Sequence, residues 1–217
     1  MLVIVDYDLG NLGSIANMLR KLGHAAELTS DPARIGDATR LILPGVGAFD
    51  QGMRNLRNRG LIEVLNYKVL TEQVPVLGIC LGAQLMTRGS EEGESPGLGW
   101  IDARTMRFSL REVSGGLKIP HMGWSDVSQQ KPHPLFEGMY EEPRFYFVHS
   151  FHFDCEDPRD VLTTTHYGYE FASSFARDNI WGVQFHPEKS HKFGLKLLDN
   201  FARISEPAAI PVTTSAI

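Results

Sequence analysis

Only two of the 217 residues are cysteine, Cys80 and Cys155, so one disulfide at most can form. Such scarcity excludes a disulfide-built secreted domain and reads as two reduced thiols in a cytosolic protein. No stretch approaches the roughly 20 consecutive apolar residues of a membrane span. The start, Met1-Leu2-Val3-Ile4-Val5-Asp6, lacks a basic region, and its apolar run is too short for a signal peptide. The expectation is therefore a cytoplasmic location. Excess positive charge is missing as well: 21 Lys and Arg against 26 Asp and Glu leave a formal net charge of -5, with no basic footprint for nucleic acid. Repeats, low-complexity tracts and linkers are also lacking.

What is present is a composition of 42% hydrophobic and 22% charged residues, in a chain long enough to bury a sizeable core as one domain. Leu2-Val3-Ile4-Val5, Leu41-Ile42-Leu43 and Val74 to Ile79 are short, continuous apolar runs that predict buried strands. Helical spacing of Leu12, Ile15, Ala16, Leu19 and Leu22 predicts a helix closing near Gly23. Further helices are expected over Phe49 to Arg57 and Leu61 to Leu70. Strands of continuous apolar character joined by helices indicate a parallel sheet covered on both faces. After about residue 95 the rhythm turns antiparallel, with strands expected at Phe145–Val148, Val161–Thr164, Phe171–Phe175 and Ile180–Val183. A last helix carries Phe193, Leu197, Phe201 and Ile204 on one face. Residues 1–204 thus read as one mixed α/β domain and 205–217, with two prolines and small residues, as a flexible tail.

The chemistry concentrates at Gly78-Ile79-Cys80-Leu81-Gly82, between an apolar strand and a helical stretch. Glycine two positions either side of a nucleophile suits a sharp strand-to-helix turn, where a side chain would collide with neighbouring backbone. A cysteine reacts as its thiolate, and an unperturbed pKa of about 8.5 leaves little of it at neutral pH. His186 is the candidate to take the proton, and Glu188, in His186-Pro187-Glu188, to hold the imidazole in the productive tautomer. The turn offers the amide of Leu81 as one oxyanion donor, and Pro44-Gly45-Val46-Gly47, ending another strand, is placed to supply a second. For metal, His149 with His152 and His186 with His191 are the pairs to weigh. Strand alternation would put the first two on opposite faces, and no Cys/His cluster exists, so no metal site is expected.

These pieces resemble the class I (triad) glutamine amidotransferases and, within them, the HisH-type glutaminase subunits of imidazole glycerol phosphate synthases. The resemblance runs from Met1 to Ile204. It rests on Leu43-Pro44-Gly45-Val46-Gly47, Gly78 to Gln84, Pro120-His121-Met122-Gly123-Trp124, Tyr146-Phe147-Val148-His149-Ser150 and Gly182 to Ser190. The elbow and the His-x-Glu are common to the superfamily, whereas Pro-His-Met-Gly-Trp and Phe-Val-His-Ser are far narrower. What the resemblance implies is a class I glutamine amidotransferase-like α/β fold, with a central mostly parallel sheet flanked by helices and an added antiparallel portion. It implies a Cys80–His186–Glu188 triad that hydrolyses L-glutamine through a γ-glutamyl thioester, with Val46 and Leu81 as oxyanion amides. Gly47, Gln84, Ser150 and Phe151 would line the glutamine pocket, Tyr146 would stand near the ammonia gate, and the His121 to Trp124 loop would face a partner. The partner the resemblance implies is a HisF-type (β/α)8-barrel synthase. It would form a heterodimer with the glutaminase and use the ammonia to make imidazole glycerol phosphate and an aminoimidazole carboxamide ribotide in histidine biosynthesis. No cofactor is implied.

Two departures stand out. Ser125 follows Trp124 where the family usually has Asn, and Phe151 follows His149-Ser150 where it usually has Tyr. Parts of the chain also resemble HisH-like paralogues that feed ammonia to sugar modification for surface polysaccharides. A free-standing cysteine hydrolase of the same superfold and a degenerate regulatory subunit are the further alternatives.

Overall fold

The computed structural model describes residues 1–109 and 117–204; the expected tail at 205–217 lies outside the described residues. Among the described residues twelve strands and six α-helices follow one another in this order. The first half comprises β1 (Leu2–Val5), α1 (Leu12–Lys21), β2 (Ala26–Thr29), α2 (Pro32–Gly36), β3 (Arg40–Gly45), α3 (Phe49–Asn58), α4 (Leu61–Asn66), β4 (Val76–Cys80) and α5 (Leu81–Leu85). Then come β5 (Ala103–Arg107), β6 (His121–Asp126), β7 (Ser128–Gln129), β8 (Arg144–His149), β9 (Phe151–Cys155), β10 (Val161–Tyr167), β11 (Tyr169–Arg177), β12 (Ile180–Val183) and α6 (His191–Arg203).

One sheet runs in the order β2-β1-β3-β4-β12-β11-β10-β7, with β9 and β5 attached at β11. Pairings from β2 through β12 are parallel and those beyond are antiparallel. Every residue of β1, β4 and β12 is buried, as continuous apolar strands covered on both faces must be. Alternate side chains feed two cores. Leu2, Ile4 and Leu77 pack with Ile15, Leu19, Leu197 and Phe201 of α1 and α6. Val3, Val5, Leu41 and Leu43 pack with Phe49, Met53, Leu56 and Leu61 of α3 and α4. A separate two-stranded ribbon, β6 with β8, stands beside the sheet. Among the described residues no helix is long and apolar enough to cross a membrane.

The sequence expectations hold for β1, β3, β4 and the helices that follow each of them, with small shifts, whereas β2 and α2 of the same parallel half were not foreseen. Helix α1 closes as predicted: Gly23 takes φ +83°, its N–H donates to the Arg20 carbonyl, and that of His24 donates to Leu19. The helix expected over Leu61 to Leu70 instead passes at Tyr67 into a π-helical turn. Strands β2, β5, β6, β7 and β9 escaped the apolar pattern. The most consequential difference is at His121 to Trp124, expected as a loop and found as strand β6, paired antiparallel with β8 in a register that sets Trp124 opposite Tyr146.

Candidate active site

Cys80 ends β4 at the carboxyl edge of the parallel strands, level with Gly45 of β3. Its backbone sits at φ +53°, ψ -114°, a region non-glycine residues avoid at a cost of about 1–3 kcal/mol. The flanking glycines make that turn sterically feasible. A Cβ on Gly78 would lie 2.6 Å from Ala83 Cα, and one on Gly82 would lie 1.8 Å from the Leu43 carbonyl oxygen. Leu81 then opens α5, so its N–H is among the amides a helix start leaves without an intrahelical acceptor. Across the turn, β3 delivers Val46 and Gly47, the latter at φ +104°.

From the other side β12 runs on into Gln184 and His186. The imidazole is 1% exposed, and its Nδ1 lies 2.8 Å from Glu188 Oε1, with both side chains buried. A carboxylate there accepts the Nδ1 proton and leaves Nε2 as the basic nitrogen. Nε2 has no partner of hydrogen-bonding geometry among the described residues. Burial alone would lower the pKa of His186, but the neighbouring Cys80 sulfur and the Glu188 carboxylate outweigh it and raise the pKa well above its ordinary value. An imidazole so placed holds a proton readily when the sulfur is charged. Gln184 Nε2 reaches Cys80 Sγ at 3.6 Å, and Gln184 Oε1 accepts from Gln84 Nε2 at 3.1 Å.

A cleft of about 490 Å³ opens over Cys80 and is lined by Val46, Gly47, Leu81 and Gln84 on one side and His149, Ser150, Phe151 and His186 on the other. Nine residues assigned to chemistry or to glutamine binding were named from the sequence: Cys80, His186, Glu188, Val46, Leu81, Gly47, Gln84, Ser150 and Phe151. All of them line this cleft except Glu188, which stands behind His186. A wider depression of about 730 Å³, lined by Gln129 to Glu137, holds no cysteine or serine nucleophile and lies apart from this chemistry.

The partner-facing expectations fare unevenly. Met122 and Trp124 are 61% and 43% exposed, and the Trp124 ring stacks on His191. Gly123 takes φ +136° between them, and Tyr146 meets Trp124 edge-on. His121 corrects the expectation: it is buried, because strand alternation turns it inward, where Nδ1 meets His149 Nε2 at 2.9 Å. His149 and His152 do not diverge to opposite faces either, because the chain leaves β8 at Ser150 and both rings come against Phe108. Among the described residues no group of three His, Cys, Asp or Glu side chains is placed to hold a metal ion.

Five residues lining the cleft, Glu92, Pro120, Val148, His149 and Lys189, had no catalytic or binding role in the sequence reading. Glu92 lies in an irregular loop, where periodicity is silent, and its Oε2 accepts the Phe49 N–H at the start of α3. Lys189 lies within the His186 motif, with its ammonium 5.6 Å from the Tyr146 ring centre. His149 was weighed only as a metal ligand.

A family model described as glutamine amidotransferase class-I matches residues 3–204. The chain is 54% identical over 203 residues to the imidazole glycerol phosphate synthase subunit HisH 2 of Methanococcus maripaludis, covering 94% of this chain and 99% of that one. It is 49% identical to the subunit of the same name from Pseudomonas aeruginosa, covering 94% and 100%. Among solved structures, that of PurLQS from Thermotoga maritima superposes with a TM-score of 0.69 at 18% identity, over 92% of this chain and 96% of that one. A nucleophile elbow flanked by its imidazole and two amide-bearing turns agrees with that match, and the chain belongs to the class I glutamine amidotransferases.

Proposed function

We propose that this chain is the glutaminase subunit of an imidazole glycerol phosphate synthase, supplying ammonia to a HisF-type (β/α)8-barrel partner in histidine biosynthesis. The observation that carries the reading is the convergence of a strained Cys80 with a buried His186–Glu188 pair beneath one cleft. Cys80 Sγ attacks the side-chain amide carbon of glutamine, and its proton passes to His186 Nε2. The tetrahedral oxyanion is held by the amides of Val46 and Leu81, and Gln184 steadies the sulfur. His186 returns the proton to the departing nitrogen, and the C–N bond breaks to give ammonia and a γ-glutamyl thioester. Water, deprotonated by the same imidazole, then cleaves the thioester to glutamate and free thiol. Gly47, Gln84, Ser150 and Phe151 orient the substrate, and Glu92 is the carboxylate nearest to hand for its α-ammonium. The reaction calls for no cofactor, and a cytoplasmic location goes with the reading.

Ammonia released into water would be protonated and lost as a nucleophile, so it needs a shielded route into the partner. The ribbon of β6 and β8 supports an interface there: Met122 and Trp124 are exposed, and Tyr146 meets the Trp124 ring while its carbonyl accepts the His186 N–H. The names of the curated relatives favour histidine synthesis over sugar amidation for surface polysaccharides.

The direct test is Cys80→Ala in the complex with the barrel partner. Glutamine-dependent synthesis is expected to vanish while ammonia-dependent synthesis and assembly persist; continued glutamine consumption would overturn the reading. The Gly45-Val46-Gly47 turn is the proposed switch, since glycine lets a peptide plane rotate cheaply. Glutaminase turnover is therefore expected to rise when the partner holds its own substrate. Equal rates with and without the liganded partner would remove the switch and favour a free-standing hydrolase.

A further inference from the structure

Just beyond β1, the side chain of Tyr7 is fully buried, and its hydroxyl has no hydrogen-bond partner among the described residues. Buried polar groups rarely stay unpaired in native proteins, so each one calls for a partner or a reason. The position of this one is specific. A Cβ on Gly45 would lie 2.3 Å from the Tyr7 oxygen, and the same point is 2.9 Å from Leu81 Cβ and 2.8 Å from Gly82 N. The hydroxyl therefore occupies the room that residue 45 leaves by having no side chain. It sits directly beneath the two segments that carry the Val46 and Leu81 amides, and it does not line the cleft itself.

Burial, with the charge of Cys80 second, raises the phenol's pKa far above its ordinary value, so the group stays a neutral O–H donor at any working pH. What it lacks is an acceptor. The N–H and C=O of one peptide plane point in opposite directions. Val46 N–H and Gly45 C=O share such a plane, so aiming the amide at an oxyanion in the cleft sends the carbonyl inward, to the side where Tyr7 lies.

We propose that Tyr7 is a positioning residue for glutamine cleavage: its hydroxyl donates to the Gly45 carbonyl in the orientation that aims the Val46 amide at the developing oxyanion. This rests on the glutaminase reading above and adds to it a fixed support for one oxyanion donor. The Cys80 sulfur is the competing acceptor, but it already faces Gln184 Nε2.

The test is Tyr7→Phe in the subunit assembled with its barrel synthase, with the partner's substrate bound. Turnover of glutamine is expected to fall about tenfold, a fraction of what losing an oxyanion donor outright costs. The KM for glutamine, the acid limb of the pH profile, ammonia-dependent synthesis and the thermal midpoint are expected to stay in place. An unchanged kcat would overturn the proposal. So would an upward shift of the acid limb, which would assign the hydroxyl to the thiolate, or a drop in thermal midpoint with a matching loss of ammonia-dependent synthesis. Glutamine consumption by the wild-type complex, measured alongside, tests the glutaminase reading separately. Its absence would overturn that reading, whereas a variant indistinguishable from an active wild type would overturn only the role of Tyr7.

Discussion

The main-chain N–H of His186 donates to the carbonyl of Tyr146 at 2.9 Å, so the imidazole beside Cys80 hangs from the same ribbon that carries the exposed Trp124. Ser190 closes the connection. Its hydroxyl donates to the His186 carbonyl at 2.6 Å and accepts the Tyr146 N–H at 3.0 Å. A shift of the ribbon is thereby felt at the base through hydrogen bonds rather than through loose packing.

Ser190→Ala removes both side-chain bonds inside a fully buried site. Orphaning a buried polar group costs about 1–3 kcal/mol, so the thermal midpoint is expected to drop measurably. Turnover of glutamine should fall with little change in KM, because the imidazole moves while the cleft walls stay. Steady-state kinetics beside a melting curve check both halves, and a variant that melts lower with kcat intact would break the proposed connection.

Trp124 projects from β6 with 43% of its surface exposed and one face covered by His191. Aromatic anchors of that kind dominate protein interfaces, and truncating one typically costs about 2 kcal/mol or more of binding. Trp124→Ala is expected to weaken association with the barrel partner by at least about tenfold in calorimetric titration. Basal glutamine hydrolysis by the free subunit should change little.

Strands β1, β3 and β4 of the parallel half were legible because they are continuous apolar runs, and the elbow because sterics at Gly78 and Gly82 admit few residues. Strand β6 was not. Its inward face is made by His121, Gly123 and Ser125, while its outward face bears Met122 and Trp124, so the usual alternation is inverted. Turned inward by strand alternation, His121 is satisfied there by a histidine 28 residues away, a partner no local pattern encodes. Strand β2, at the sheet edge, is only half-buried and carries Glu27 in its middle, and β5 hides Thr105 among arginines. The proposed triad was readable because chemistry restricts residue type; Glu92 and Tyr7 were not, because any of several segments could have supplied them.

Glycine positions offer a contrast in sign. At Gly82 an added Cβ would meet the Leu43 carbonyl at 1.8 Å, backbone against backbone, with no flexible group to yield. Gly82→Ala is expected to destabilise by about 3 kcal/mol or more, at or beyond the upper end of ordinary overpacking. In the first turn of α1, a Cβ on Gly13 would meet nothing within 4 Å. Gly13→Ala is expected to stabilise by about 0.4–1 kcal/mol, chiefly through a less flexible unfolded chain. Denaturant unfolding of the two variants, with opposite shifts in midpoint, is the check.

The histidine pair sets the response to acid. His149 Nδ1 lies 2.5 Å from the Phe151 carbonyl and must donate, so its Nε2 accepts from His121 Nδ1, and His121 Nε2 accepts from the Ser125 hydroxyl at 2.8 Å. Both rings are therefore neutral in the folded protein. Burial pushes His121 down to about 4. For His149 burial also dominates and lowers the pKa; the Phe151 carbonyl opposes it, and His121, His152 and His186 add to it. The unfolded chain takes up these protons near pH 6.5, about where a free imidazole titrates. Because the folded values are depressed, the stability the pair contributes is fully present above that pH and is lost as pH falls toward about 4. His133, which burial and then Lys131 also bring to about 4, acts in the same window, so the informative quantity is a difference between proteins. Carboxylates such as Asp157, held low by Arg159, make their loss at lower pH still. Thermal midpoints measured from about pH 7 down to about pH 4.5 should fall more steeply for the wild type than for His121→Gln. Equal slopes would mean that the pair takes up protons without leaving the fold.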